Sequence, residues 1–140
     1  MRFRLVIVPL LFLVIFLSSC SINEDPRAMA TTQISLVYDG ERCQPYESFV
    51  PLGEEIEITL TNSSDYDLTW YLIFYPIEGK FEDQDSKNIL ASASASAHED
   101  STSRFIAPYL PARYDSLCIR DDDTDSRALT YLLVVQPYED

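Results

Sequence analysis

The sequence predicts an all-β fold, a sandwich of two sheets, on three observations. Residues 55–61, Glu-Ile-Glu-Ile-Thr-Leu-Thr, alternate strictly between polar and apolar, the period of a strand with one buried face. Residues 68–75, Leu-Thr-Trp-Tyr-Leu-Ile-Phe-Tyr, concentrate the aromatic and β-branched side chains that suit a pleated surface. About six such stretches follow one another, separated by turn-forming clusters, which is the pattern of a sandwich.

Taken in order, the chain opens with Arg2 and Arg4, and residues 5–17 then carry no charge. A basic start and an apolar run of this length fit a secretory leader. The run falls short of the roughly 20 apolar residues that span a bilayer. Leu17-Ser18-Ser19-Cys20 follows in register and resembles the lipobox of bacterial lipoproteins, a leucine and two small residues before an obligatory cysteine. The resemblance implies that residues 1–19 are removed as a lipoprotein signal peptide and that the Cys20 sulfur takes a diacylglycerol thioether. It implies a mature chain on the extracytoplasmic face of a cell membrane or outer membrane, held through N-terminal acyl chains. Ser21, where an aspartate would signal inner-membrane retention, favours the outer membrane. A plain cleaved leader and an uncleaved anchor helix are the alternatives.

Residues 20–32 are polar and aperiodic and read as a flexible tether of about a dozen residues, with an r.m.s. reach of roughly 20 Å. The domain proper runs 33–137. Its first strand is 33–38, closed by Asp39-Gly40. Cys43, Pro45 and Pro51 lie in the loop beyond, and Leu52-Gly53 turns into the alternating strand. Asn62-Ser63-Ser64-Asp65 makes the next turn. Residues 68–75 are apolar on both faces. The strand is therefore either buried on both sides or exposes an aromatic patch, with Tyr71, Ile73 and Tyr75 as partner-contact candidates. Residues 79–101 read as a long irregular connection, because 80–87 is charged and the Ala-Ser alternation of 91–97 offers little to bury. Strands return at 103–107, 113–119 and 128–135, the last two forming a hairpin around the acidic turn 120–126.

With 23 acidic residues against 10 basic ones, the chain carries −13 at neutral pH, and loss of the leader removes two arginines and no acid. Such acidity argues against nucleic acid as a partner, since phosphate binding needs clustered Lys and Arg. It also leaves lipid chains rather than charge to hold the protein at a membrane. With Cys20 assigned to lipid, Cys43 and Cys118 remain. Exported compartments are oxidising, so the two either pair as a disulfide or persist as free thiols, and pairing is the expectation.

The order of features resembles the cupredoxins. Gly53-Glu54-Glu55-Ile56-Glu57-Ile58-Thr59-Leu60-Thr61-Asn62 is similar to the family's glycine-led strand ending in asparagine. Phe105-Ile106-Ala107-Pro108, then Pro111-Ala112-Arg113-Tyr114-Asp115-Ser116-Leu117-Cys118, resembles its closing Pro-Gly-x-Tyr-x-x-x-Cys region, with Ala112 where the family has glycine. Tyr38-Asp39-Gly40-Glu41-Arg42-Cys43 is similar to the opening of small secreted cupredoxin-like proteins that carry no metal. The resemblance covers most of 33–136 and implies a cupredoxin-like Greek-key β-sandwich. The copper function does not follow. A centre of that type takes two histidines, a cysteine thiolate and a weak axial methionine. The mature chain offers His98, Met29 and, in a ligand-like place, only Cys118. No cofactor is expected.

Asp121, Asp123 and Asp125 have the spacing that opens an EF-hand. Ser126 and Leu132 stand where that loop needs glycine and glutamate, which leaves either a weak calcium site or a solvated turn. No Gly-x-Ser-x-Gly elbow accompanies the lone imidazole, and Gly40, Gly53 and Gly79 are too scattered to cradle a phosphate. The sequence thus predicts a membrane-anchored, non-enzymatic binding or accessory module whose partner, a protein among the possibilities, it does not identify. The alternative is a metal-binding domain, for calcium at 121–125 rather than copper.

Overall fold

The computed structural model describes residues 24–138, the side chains of Asp83 and Gln84 apart; the leader and Cys20 lie outside them. The strands are β1 (Gln33–Tyr38), β2 (Cys43–Gln44), β3 (Glu47–Pro51), β4 (Glu55–Asn62), β5 (Leu68–Ile73), β6 (Ile89–Ala95), β7 (Asp100–Ile106), β8 (Ala112–Arg120) and β9 (Asp123–Val135). One sheet has the order β2-β1-β4-β7 and the other β3-β9-β8-β5-β6. β1 runs parallel to β4 and β3 parallel to β9, and the remaining neighbours are antiparallel. The all-β sandwich expected from the sequence is the fold observed, and β8 and β9 form the expected hairpin.

Period-two alternation builds the core. Ile56, Ile58 and Leu60 of β4 are completely buried, and Ile34, Leu36 and Tyr38 of β1 line the same face. They meet Trp70, Leu72, Tyr114, Cys118, Leu132 and Val134 from the other sheet in one continuous cluster. Trp70 is the largest fully buried side chain. On its own sheet it stands between Ala93 of β6 and Cys118 of β8. Across the sandwich its ring lies 5.6 Å from that of Phe105 on β7.

β5 is buried on both faces because the chain after it folds back over the outside of its sheet. Phe81 stacks on Tyr71 at 4.7 Å. Phe81 and Ile77 together cover Ile73, Leu117 and Ile119 in a second, smaller cluster. Of the two readings of this strand, burial on both faces is the one observed, and the alternative of an exposed patch at Tyr71, Ile73 and Tyr75 is corrected. Ile73 is 1% exposed and Tyr71 is half-buried, so only Tyr75 among those three candidates stands out in solvent.

The connection expected at 79–101 is also corrected. A 3₁₀ turn occupies Asp83–Asn88, β6 follows at once, and β7 begins at Asp100. The Ala-Ser run is a strand because its pairing with β5 is made by main-chain groups, whatever the side chains offer. Its inward alanines are an advantage here. Ala93 and Ala95 are 4% exposed where β6 closes on β4 and β7 of the opposite sheet, and small side chains allow that approach. The outward Ser94 hydroxyl lies 2.9 Å from that of Thr69. β2 and β3 replace the loop expected after Tyr38, separated by a cis Gln44–Pro45 bond. In β3 the inward positions are Ser48 and Val50, so the apolar alternation is broken.

The stretch read as a tether is partly bound to the body. The 3₁₀ turn Pro26–Met29, capped by the Asp25 side chain, packs against β3. Thr31 N–H donates to the Phe49 carbonyl at 3.0 Å, and Glu57 N–H donates to the Thr32 carbonyl at 2.8 Å.

Close packing at β6 has a measurable consequence. Ala93→Leu should destabilise the fold by about 1–3 kcal/mol through overpacking, whereas Ser92→Leu on the outward face should stay within about 0.5 kcal/mol of the parent. Equal denaturant midpoints for the two variants would show that the sheets do not close on β6.

Candidate functional site

Because β1 and β4 are parallel, both end at the same pole of the sandwich, where β5 and β7 begin and β8 turns into β9. The connections 39–42, 63–67, 96–99 and 121–122 therefore converge there. They bring Asp39, Glu41, Asp65, Asp67, Asp121 and Asp122 to one end.

The Cys43–Cys118 disulfide lies beneath these loops, with a Cα–Cα distance of 6.4 Å. Cys43 belongs to the four-stranded sheet and Cys118 to the five-stranded sheet, so the expected pair staples one sheet to the other. Both are buried. Asn62, 1% exposed at the end of β4, organises the turn beside them. Its Nδ2 donates to the carbonyls of Tyr66 (2.6 Å), Ala95 (3.2 Å) and Ser96 (3.1 Å). Its Oδ1 accepts from the Ser64 N–H (3.1 Å) and hydroxyl (2.7 Å). A single amide thus satisfies the main chain of the 63–66 turn and of the end of β6. The sequence marks 62–65 as a turn but gives no sign of this clamp, because two of its partners, Ala95 and Ser96, lie more than thirty residues away.

Asp39, Asp65, Asp67, Asp121 and Asp122 at this pole each have a local partner. Glu41 and Arg42 N–H groups donate to the Asp39 carboxylate at 2.9 and 2.8 Å, and these two bonds hold its pKa below the usual carboxylate range. Gly40, at φ +106°, supplies the left-handed residue that lets the chain turn there. The Tyr38 hydroxyl donates to the Gly40 carbonyl at 2.8 Å, and burial pushes its pKa up. Arg120 places its guanidinium 3.4 Å from the Tyr66 ring centre and grips Asp122 through two bonds of 3.0 and 2.7 Å. The hydrogen bond from Arg120 lowers the Asp122 pKa.

The structure does not gather the three calcium candidates. Asp121 accepts from the Thr69 hydroxyl at 2.9 Å, Asp123 accepts from the Asp125 N–H at 3.1 Å, and Asp125 pairs with Lys80 at 2.8 Å. Among the described residues no group of three or more His, Cys, Asp or Glu side chains is placed to hold a metal ion. Nor do the copper-type residues meet. His98 Nε2 lies exposed, 2.8 Å from Asp65, Met29 sits in the 3₁₀ turn on β3, and the Cys118 sulfur is bonded to Cys43. These residues do not fit a copper centre.

What the pole presents is an open cavity of about 490 Å³ lined by Asp39, Gly40, Glu41, Ser63, Ser64, Asp65 and Tyr66. A second, of about 440 Å³, shares Asp65 and Tyr66 with it and adds Asp67, Asp121 and Asp122. Carboxylates around a phenol ring suit a cationic group, such as a basic side chain of a protein.

Two outcomes test this construction. The bridge closes a separation of 75 residues, so its loss should cost about 4.5 kcal/mol in the chain-entropy account. Urea unfolding with and without reductant measures this, and an unchanged midpoint would remove the staple. Asp39 has a lowered pKa, so it contributes stability above the unfolded carboxylate value of about 4 and loses it as pH falls through the folded value. Asp39→Asn keeps an acceptor but not the charge. Its Tm should lie below the parent's at pH 7, and the gap should narrow as pH falls below about 4; a gap independent of pH would count against a role for the charge.

No protein family and no curated protein matches the sequence. Solved structures do. The dithionite-reduced auracyanin of the photosynthetic bacterium Roseiflexus castenholzii aligns over 76% of this chain and 98% of its own, at 22% identity and a TM-score of 0.58. Auracyanin A, a "blue" copper protein of the green thermophilic photosynthetic bacterium Chloroflexus aurantiacus, aligns over 74% of this chain and 98% of its own, at 19% identity and a TM-score of 0.56. Auracyanin B aligns over 74% and 88% of the respective chains, at 14% identity and a TM-score of 0.57. At such identities the likeness is one of fold, and the fold of this chain is a cupredoxin-like β-sandwich.

Proposed function

We propose that the chain is an extracytoplasmic lipoprotein, anchored through acyl chains on Cys20, whose cupredoxin-like domain is a non-enzymatic, metal-free binding module for a basic protein partner. The observation that carries the binding-module reading is the state of Cys118. In the resemblance it holds the place of a copper ligand, and here its sulfur is spent in the bridge to Cys43. A thiolate committed to a disulfide cannot ligate copper, so the pole that bears it is left to act through its surface.

That surface supports a basic partner. Two adjoining open cavities are lined by Asp39, Glu41, Asp65, Asp67, Asp121 and Asp122. A carboxylate-rich pole on a chain of charge −13 draws a positively charged partner by long-range steering and raises its encounter rate. The basic start, the apolar run and Leu17-Ser18-Ser19-Cys20 support the anchor, and two or more buried acyl chains suffice for stable attachment. Export agrees with the disulfide, which persists in oxidising compartments.

The full chain expressed in a bacterial host tests both halves. Mass spectrometry should find a mature N-terminus at an acylated Cys20, and Cys20→Ser should accumulate the unprocessed precursor. A mature chain without lipid would overturn the anchor. Metal analysis of the purified protein should find neither copper nor calcium at stoichiometric level, and added calcium should leave Tm unchanged; stoichiometric metal of either kind would overturn the binding-module reading.

A further inference from the structure

The opposite pole of the sandwich has a different chemistry. Residues 107–111, Ala-Pro-Tyr-Leu-Pro, link β7 to β8 without a charged side chain. Tyr109 is 76% and Leu110 61% exposed. The Tyr109 ring lies so close over Gly53 that a Cβ there would meet it at 2.7 Å. The Gly53 N–H donates to the Pro108 carbonyl, and the Tyr114 hydroxyl holds the Leu110 carbonyl at 2.9 Å. Phe74, just past β5, leans on Tyr114 at 6.2 Å and meets Tyr75 edge-on at 4.5 Å. Phe74 is 42% and Tyr75 68% exposed. Local bonds thus fix an apolar and aromatic surface that stays uncovered.

The described chain also enters at this pole. The Tyr138 hydroxyl, beyond the end of β9, donates to Asp25, and Arg27 lies 5.1 Å over the Tyr138 ring. β9 ends here beside Pro51, and the Leu52 N–H donates to the Val135 carbonyl. Cys20 precedes Asp25 by a few residues, which even fully extended reach at most about 18 Å.

We propose that this pole is the membrane-facing surface of the protein, with Phe74, Tyr75, Tyr109 and Leu110 seated in the lipid headgroup layer. The proposal rests on the Cys20 anchor put forward above. Tyrosine and phenylalanine favour the interfacial layer, where an apolar ring meets lipid and a hydroxyl stays wet. Glu54, exposed in the neighbouring turn, sets the depth at the headgroups rather than the acyl region. Charge orients the domain in the same sense. β8 spans 9 residues from this pole to the acidic one, a separation of about 26 Å at roughly 3.3 Å per residue. The field of an anionic surface decays over about 8–10 Å. The acidic pole is repelled until it points away from the membrane, and its cavities then open toward the solvent, where a partner can reach them.

Trp scanning in vesicles tests the orientation, with the lipidated full chain in phosphatidylcholine brominated near the glycerol end. Trp70 is buried and gives a constant background. Tyr75→Trp and Leu110→Trp should lose emission to the bromines, and Glu41→Trp at the other pole should not. Equal quenching at all three positions, or none in protein that floats with the vesicles, overturns the orientation and leaves the anchor standing. Protein that fails to float with the vesicles overturns the anchor and the orientation with it. A photo-crosslinker at position 109 in native membranes should capture lipid; capture of a protein there assigns the pole to a protein partner and overturns the proposal.

Discussion

The bond between Cys43 and Cys118 is the constraint on which the remaining structure depends. Two sheets packed face to face are held mainly by non-directional burial, which fixes their separation more firmly than their relative rotation. A covalent link between β2 and β8 fixes one corner. β2 has only two residues and pairs with the end of β1, so main-chain bonds alone would hold it weakly. The bridge turns this short edge into a fixed rim for the 39–42 loop. Trp70, paired on its own sheet with Cys118, fills the space behind the bridge, so the staple and the largest core side chain support each other.

The same bond takes the Cys118 sulfur out of metal ligation in a fold that copper proteins share. The parallel β1–β4 pair and the β8–β9 hairpin bring the loops together at one pole. These loops carry carboxylates, an Arg120–Tyr66 stack and a buried amide clamp. Fold and site are separable, and the chemistry follows from which side chains the loops present.

Legibility in the sequence tracked the size of the inward side chains. β1, β4, β5, β8 and β9 were readable because Ile, Leu, Val, Tyr and Trp mark their buried faces. β6 was not, since Ala93 and Ala95 are buried by proximity of the opposite sheet, which no local pattern records. β3 was lost because Ser48 occupies an inward position. Of the candidate residues, Cys43 and Cys118 were found by counting cysteines, and the bridge joins them. The sequence leaves Tyr71 and Ile73 between burial and an exposed patch because what covers them, Ile77 and Phe81, belongs to a segment without periodicity. The Asp121–Asp123–Asp125 spacing was a true pattern in one dimension. In three dimensions Asp121 lies in the turn and Asp123 and Asp125 on β9, each held by a different neighbour, and the carboxylates part.

Crowding acidic groups at one pole is unfavourable in itself, since like charges destabilise the compact state. The structure meets this locally and in kind. Backbone N–H groups take Asp39 and Asp123, a hydroxyl takes Asp121, Arg120 takes Asp122, and Lys80 reaches across from the covering segment to Asp125. Exposed pairs of this sort contribute little each, about 0–1 kcal/mol, so they cannot hold the pole together unaided. What resists the repulsion lies below the surface, in the disulfide and in the five contacts of Asn62. Neither reaches toward the cavities, so most of what stabilises this pole lies apart from the carboxylates that line them, Asp39 excepted. The surface carboxylates are thereby free to serve recognition, because the fold beneath them does not rely on their pairing.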